Sequence, residues 1–249
     1  MDRLVSCHHI NPNSAIRLFC LPWAGGGTYY FRSWANHLPE TEVNAIRLPG
    51  RENRFVEKNH TSHETLIKEI VDTIGESFKE KKFALFGHSF GGLMCYELAK
   101  ALKKEYDIEP QHIFVSGASG PQSSSWRKIG TTISNYNDKE LIDYLIQVGG
   151  TPKEIIENSE MLRLFLPSLK ADYKVISKYS CEEAIVQPVL RCPISVIMGI
   201  DDERTNTDSW SDITSGPVTY TNFPGGHFYL FDPDNQKQLL NLIALNVKS

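Results

Sequence analysis

Phe83-Ala84-Leu85-Phe86-Gly87-His88-Ser89-Phe90-Gly91-Gly92 decides the fold of this chain: an apolar strand pattern runs into a glycine-flanked serine, and a helical pattern from about Leu93 to Leu102 follows at once. Gly87-His88-Ser89-Phe90-Gly91 fits G-x-S-x-G, the tight strand-to-helix turn that lifts a serine hydroxyl above the end of a sheet. The spacing alone is common by chance. Its weight comes from the apolar strand before it and the helix after it, which an ordinary helix-capping serine would not require. Glycines at 87 and 91 spare the turn the Cβ clashes that other residues would bring.

Outward from this turn the chain alternates short apolar runs with amphipathic helical patterns. Ile16 to Leu21 (IRLFCL) reads as a strand ending at Pro22 and the loop Trp23 to Gly27, and Val43 to Leu48 as another ended by Pro49-Gly50. Thr61 and Glu64 are spaced as a capping box for a helix whose apolar face is Leu66, Ile67, Ile70, Val71, Ile74 and Phe78. Ile113 to Val115, Ile194 to Met198 and Val218 to Phe223 read as further strands, and a last helix, capped by Asp234, carries Leu239, Leu240 and Ile243. Strands without polar alternation, separated by helices, predict a mostly parallel sheet covered on both faces. With the serine turn, this is the α/β-hydrolase fold, as a single domain over 1–249.

One interval breaks the rhythm. Between the strands ending at Val115 and starting at Ile194, a single crossover helix would suffice, yet the stretch reads as several. Asp138 caps a run with Leu141, Ile142, Leu145 and Val148 that Gly149-Gly150 ends. A second pattern spans about Pro152 to Leu166 before Pro167, and a third about Leu169 to Tyr179. Insertions of this length are often lids, so a helical lid is expected over about 121–190, with an enlarged surface crossover as the plainer reading.

At 249 residues, 41% of them hydrophobic and 22% charged, the chain suits one globular domain with a sizeable core. Its formal net charge of −4 is spread along the length, without a basic cluster to neutralise phosphates. Neither nucleic acid nor a membrane is therefore expected as a partner. The five cysteines are scattered and odd in number, which speaks against a disulfide framework or a zinc site. The first residues lack the pattern of a signal peptide, and no apolar run approaches the roughly 20 residues of a membrane span. A cytoplasmic protein is expected.

A serine hydroxyl needs a base to act as a nucleophile at neutral pH, and in this fold the order along the chain is serine, acid, histidine. Of eight histidines, His227 alone lies late, on the glycine-rich turn Pro224-Gly225-Gly226 after a strand. His88 sits inside the serine turn and is expected to pack, and His112, just before a strand, reads as a surface residue. Met198-Gly199-Ile200-Asp201-Asp202 offers the acid: spacing from the glycine favours Asp202 while leaving Asp201 open, with Asp208 and Asp212 more remote. The developing oxyanion needs two backbone N–H donors. One is expected from Phe90 and the other from the loop Trp23 to Gly27, with Ala24 favoured. That loop lacks the spacing of a nucleotide-phosphate cradle.

Leu21-Pro22-Trp23-Ala24-Gly25-Gly26, Arg47-Leu48-Pro49-Gly50-Arg51-Glu52, Phe86 to Gly92 and Phe223-Pro224-Gly225-Gly226-His227-Phe228 together resemble the type II thioesterases, stand-alone enzymes of non-ribosomal peptide and polyketide synthases. The chain is similar as well to the animal oleoyl-ACP hydrolase, which releases medium-chain acids from fatty acid synthase. The likeness extends to Gly149-Gly150-Thr151-Pro152 and Leu169-Lys170-Ala171-Asp172-Tyr173, with Lys170 where the family often has Arg. It covers the chain beyond about the first fifteen residues.

The resemblance implies a serine thioesterase with the triad Ser89, Asp202 and His227 and oxyanion donors Ala24 and Phe90. Its substrate would be an acyl thioester on the phosphopantetheine arm of an acyl or peptidyl carrier protein. The role would be editing of a peptide or polyketide synthase, or chain release from fatty acid synthase. A monomer is expected, with no metal and no organic cofactor beyond the partner's phosphopantetheine. The alternatives share the triad: a serine esterase or lipase on small oxygen esters, or an acyltransferase that diverts the acyl-enzyme. A non-catalytic ligand receptor is the reading from another class, and the complete triad argues against it.

Overall fold

The structure is a computed structural model and describes residues 3–181, 187–203 and 207–247, apart from the Asp208 side chain. Seven strands among the described residues form one sheet: β1 (Val5–Ser6), β2 (Ile16–Leu21), β3 (Thr41–Ile46), β4 (Phe83–His88), β5 (His112–Ser116), β6 (Ile194–Gly199) and β7 (Val218–Phe223). Their spatial order is β1-β3-β2-β4-β5-β6-β7, and every neighbouring pair is parallel except β1 with β3. The helices are α1 (His63–Ile74), α2 (Ser77–Glu80), α3 (Phe90–Tyr106), α4 (Ser124–Ser134), α5 (Asp138–Val148), α6 (Lys153–Ile156), α7 (Ser159–Lys178) and α8 (Pro233–Val247). This is the expected mostly parallel α/β sheet.

The apolar runs of the central strands follow from burial on both faces. In β2 and β4, Phe19, Leu21, Phe83 and Leu85 face the layer of α1 and α3. Leu18, Cys20, Ala84 and Phe86 face Phe31 and Trp34 of the 3-10 turn Tyr29–Asn36 and Leu239, Leu240 and Ile243 of α8. Period two is present, but both phases are apolar. The pattern of α1 buries Leu66, Ile67, Ile70, Val71 and Ile74, each contributing about 1.5–3 kcal/mol.

Three helix caps lie one or two residues from the positions that the residue types suggest. Ser62, not Thr61, caps α1, its Oγ accepting from Thr65 N. Asn137, not Asp138, caps α5 and forms the capping box with Glu140. Asp232, not Asp234, caps α8: its Oδ1 accepts from the backbone N of Asp234 and Asn235, leaving Pro233 at a first-turn position that needs no donor. In each case neighbouring residues are all competent caps, and the tertiary path selects among them.

The largest difference is in the insertion between β5 and β6. Pro167 does not separate two helices, because α7 runs through it from Ser159 to Lys178. Pro167 lies on the exposed face, as does Arg163, whose carbonyl loses its i+4 donor. Water can serve that carbonyl, while the opposite face of α7 buries Leu166, Leu169, Val175 and Ile176. A further helix, α4, packs along α7. The segment 182–186, within the stretch read as a lid, lies outside the described residues.

His112 is not a surface residue. It belongs to β5, is 5% exposed, stacks on Phe114 at 4.2 Å and has Nε2 2.8 Å from Ser195 Oγ. Burial lowers its pKa from 6.5 to about 4. The unfolded chain therefore binds the proton between those values while the folded chain does not, so stability falls as pH drops from 6.5 towards 4. Thermal unfolding followed over that range should show a falling Tm, and His112→Gln should flatten the part of the slope that this residue supplies.

Candidate active site

Parallel strands end together, and the loops that leave their C-terminal ends build the site. The register sets Leu21 beside Gly87, His88 beside Ser116, and Gly199 beside Phe223. Ser89, Asp202 and His227 follow the ends of β4, β6 and β7 respectively, and the loop of Ala24 follows β2.

Ser89 has φ 54° and ψ −117°, a conformation that costs a non-glycine residue on the order of 1–3 kcal/mol. Its backbone is held on both sides: Ser89 N donates to Ser116 O at 2.7 Å, and Gly92 N donates to Ser89 O at 2.9 Å. The glycines around it are required by contact. A Cβ on Gly87 would run into the Gly91 carbonyl, one on Gly91 into the Leu21 carbonyl, and one on Gly92 would press on Ala118 Cβ at 2.7 Å. The strained turn thus exists because α3 starts against the end of β2.

His227 stands opposite, on the loop after β7. Its Nδ1 is 2.6 Å from Asp202 Oδ2 in a partly buried pair. A carboxylate only accepts, so Nδ1 carries a proton, and in the neutral ring Nε2 is then the nitrogen that holds the lone pair. Asp202 is 8% exposed with its backbone N bonded to Gly199 O, whereas Asp201 is exposed and its backbone N bonds to Gly225 O. Of the two neighbours, the geometry brings Asp202 to the histidine. Asp212 is exposed, and the Asp208 side chain lies outside the described residues. Gly199 allows the close approach of the two loops, since a Cβ there would strike the carbonyls of Gly225 and Gly226.

His88 supports this pair from below, as expected of a packing residue. Its ring lies 4.8 Å from that of His227, and its Nδ1 is 2.9 Å from Ser116 Oγ, which is 2.6 Å from Tyr229 Oη. Sequence reading did not find the Ser116–Tyr229 pair: a serine at the end of one strand and a tyrosine 113 residues later carry no local signal.

The loop after β2 closes the other side. Gly26 N donates to Trp23 O at 2.8 Å, making a turn with Ala24 and Gly25 at its corners and Gly25 at φ 75°. Trp23 packs edge-on against Tyr30, His88, Phe228 and Phe231. Phe90 is fully buried at the first position of α3, where a backbone N–H has no partner within the helix. Trp23, Ala24, Ser89 and His227 line one pocket, with Trp126, Ile129, Tyr144, Leu145, Leu169, Tyr173 and Ile176 of the insertion as its apolar wall. A hydroxyl, a base oriented by a carboxylate and an apolar-walled pocket therefore meet in one place. Among the described residues, no helix is long and apolar enough to cross a membrane.

Gly91→Ala tests the elbow directly, because its Cβ would strike the Leu21 carbonyl. Displacing α3 from the end of β2 should cost about 1–3 kcal/mol, measured by urea unfolding, and should lower the reactivity of Ser89 towards a fluorophosphonate further than the loss of folded protein explains.

Comparison with known proteins agrees with the geometry. The chain matches the model of the thioesterase domain family over residues 16–245. It is 37% identical over 244 residues to the medium-chain S-acyl fatty acid synthase thioesterase of Rattus norvegicus, covering 98% of this chain and 92% of the rat protein. It is 32% identical to the gramicidin S biosynthesis protein GrsT of Aneurinibacillus migulanus, covering 90% of this chain and 86% of that one. Among solved structures, the type II thioesterase BorB of the borrelidin biosynthetic cluster superposes with a TM-score of 0.84 at 30% identity, covering 98% of this chain and 97% of BorB. A match of this extent in family, relatives and fold means that the chain belongs to the thioesterase family, hydrolases that act on thioesters.

Proposed function

We propose that the chain hydrolyses acyl thioesters carried on the phosphopantetheine arm of an acyl or peptidyl carrier protein, with Ser89 as nucleophile, His227 as base and Asp202 as its orienting acid. The observation that carries this reading is the shared pocket, in which Ser89 and the Asp202-bound His227 face an apolar wall supplied by the insertion. The relatives named for fatty acid synthase and for gramicidin S biosynthesis support a carrier-bound substrate.

The steps follow from the groups in place. Ser89 Oγ attacks the thioester carbonyl carbon while His227 Nε2 takes its proton, and Asp202 stabilises the imidazolium. The tetrahedral oxyanion accepts from the backbone N–H of Ala24 and Phe90. Collapse breaks the C–S bond, and His227 returns the proton to the departing thiolate. Water, deprotonated by His227, then attacks the Ser89 ester, and the free acid leaves. As that second tetrahedral intermediate collapses, His227 gives the water's proton to Ser89 Oγ, so each half-reaction returns the proton it takes, and no step calls on a metal or an organic cofactor.

The insertion acts as the lid, holding the acyl chain between α4, α5 and α7. The wall of Trp126, Ile129, Leu145, Leu169 and Ile176 suits an aliphatic chain better than a polar peptide. Medium-chain loads should therefore turn over faster than an acetyl load. Intact-protein mass spectrometry of acetyl-, decanoyl- and palmitoyl-carrier protein reads both the activity and the preference. Wild type should return bare carrier and Ser89→Ala should not. A preference for acetyl would instead assign the clearing of short primers.

The Asp202–His227 contact supports Asp202 over Asp201 as the acid, and substitution tests the choice. Asp202→Asn should lower kcat by about 10⁴-fold, since the wrong imidazole tautomer is held. Asp201→Asn should stay near wild type in the same decanoyl-carrier assay.

A further inference from the structure

Asp172 lies on α7, in the stripe Leu169, Asp172 and Ile176 whose other members are buried and apolar. A carboxylate there is costly unless fully partnered, and its partners are specific. Arg51 Nη1 and Nη2 donate to Asp172 Oδ2 and Oδ1 at 2.9 and 3.0 Å, with side chains 8% and 5% exposed. Oδ2 also accepts from the backbone N of Gly25 at 2.7 Å, and Arg51 Nη1 donates to Gly26 O at 2.9 Å. Two successive residues of the turn after β2 are thus tied to one buried ion pair, by a donor in one case and an acceptor in the other.

That turn carries Ala24. The N–H of Gly25 belongs to the peptide that leaves Ala24, and Gly26 N closes the turn back on Trp23 O. Fixing both peptides fixes the direction of the Ala24 N–H. Leu169 and Phe165 of α7 reinforce the clamp by pressing on Gly25, where a Cβ would come within 2.9 Å of each. Glu52 holds the far end of the loop, accepting from Thr28 N and Thr28 Oγ1.

From this geometry we infer that the Asp172–Arg51 pair is a positioning device that preorganises the oxyanion loop from the insertion, so that α7 is part of the catalytic framework as well as a wall of the pocket. Neither residue touches the acyl carbonyl; both act through the Ala24–Gly25–Gly26 backbone. The inference rests on the proposed role of Ala24 as an oxyanion donor.

A misdirected donor weakens the transition state more than the ground state, so the loss belongs in kcat. Removing one oxyanion donor outright costs about 10²–10³-fold, and misalignment should cost part of that, about tenfold to a hundredfold. Decanoyl-pantetheine hydrolysis by the full chain reads kcat and KM separately. A decyl trifluoromethyl ketone, which forms a hemiketal oxyanion with Ser89, reads the hole itself.

Asp172→Asn should lower kcat by that amount with KM within about threefold, and the ketone should lose affinity in parallel with kcat/KM. Because Asp172→Asn leaves Arg51 buried without its counter-ion and can unfold the chain, the paired variant Arg51→Met with Asp172→Leu removes both charges and decides the matter in a folded protein. Lys170→Ala, which removes the exposed Lys170–Asp138 pair from the same helix, should leave kcat unchanged.

A folded paired variant with wild-type kcat, or with unaltered ketone affinity, would overturn the inference. So would an equal fall in kcat for Lys170→Ala, which would mark a general disturbance of α7. A wild type that neither turns over nor forms the ketone adduct would instead overturn the proposed function, and this inference with it.

Discussion

At Ser89 the backbone takes φ 54° and ψ −117°, and no serine stays there unless the surroundings hold it. The hold comes from the sheet. Ser116 O on one neighbouring strand takes the Ser89 N–H, and the end of β2 on the other side stands where any side chain at position 91 would have to go. An elbow of this kind can form only where a strand ends between two parallel neighbours and a helix turns back at once. The central position of β4, the glycines at 87, 91 and 92 and the immediate start of α3 are consequences of that one constraint. The other functional loops follow from it as well, since the ends of β2, β6 and β7 lie along the same edge of the sheet.

This explains what could be read from the sequence and what could not. The serine turn, six of the seven strands and His227 are legible because each depends on residues adjacent in the chain: an apolar run, a glycine pair, a histidine after a strand, whereas the two-residue β1 is too short to carry a pattern. Asp202 could be favoured over Asp201 by spacing, but the choice is made by the Asp201 N–H bond to Gly225, a contact between two loops. His112 reads as a surface residue because its position before an apolar run looks like a strand entrance, while in the fold Ser195 and Phe114 cover it. Pro167 reads as a helix break because the rule that proline ends a helix ignores the opposite face, whose buried side chains keep the two halves of α7 in line.

Asp172 is the most instructive case. The spacing of Leu169, Asp172 and Ile176 marks a carboxylate among apolar residues on one face of a helix, and that was a signal visible in the sequence. Its partner was not visible, because Arg51 lies 121 residues earlier. A lone buried charge would destabilise the helix. The bidentate pair with Arg51 offsets the desolvation, and the geometric demands of that pair are what tie the turn after β2 to the insertion.

Burial within the insertion is uneven, and the unevenness bears on how a substrate could reach the serine. α7 is fastened over its second half: Ser168 Oγ donates to Gly50 O, Asp172 pairs with Arg51, and Tyr179 Oη, just past the helix end, donates to Glu97 Oε1. α4 packs along it and shares that fixity. By contrast α5 buries only Leu141 and Leu145, and α6 buries none of its residues. The two are joined through Gly149 and Gly150, both at positive φ, with Gly150 against the Phe228 ring beside His227. Segments with few buried apolar contacts open at the least cost in free energy. Displacing α7 would break a buried ion pair and release the turn that carries Ala24, whereas displacing α5 and α6 would expose little apolar surface and leave the pair intact. Access through α5 and α6 is therefore compatible with a site that stays assembled, and access through α7 is not.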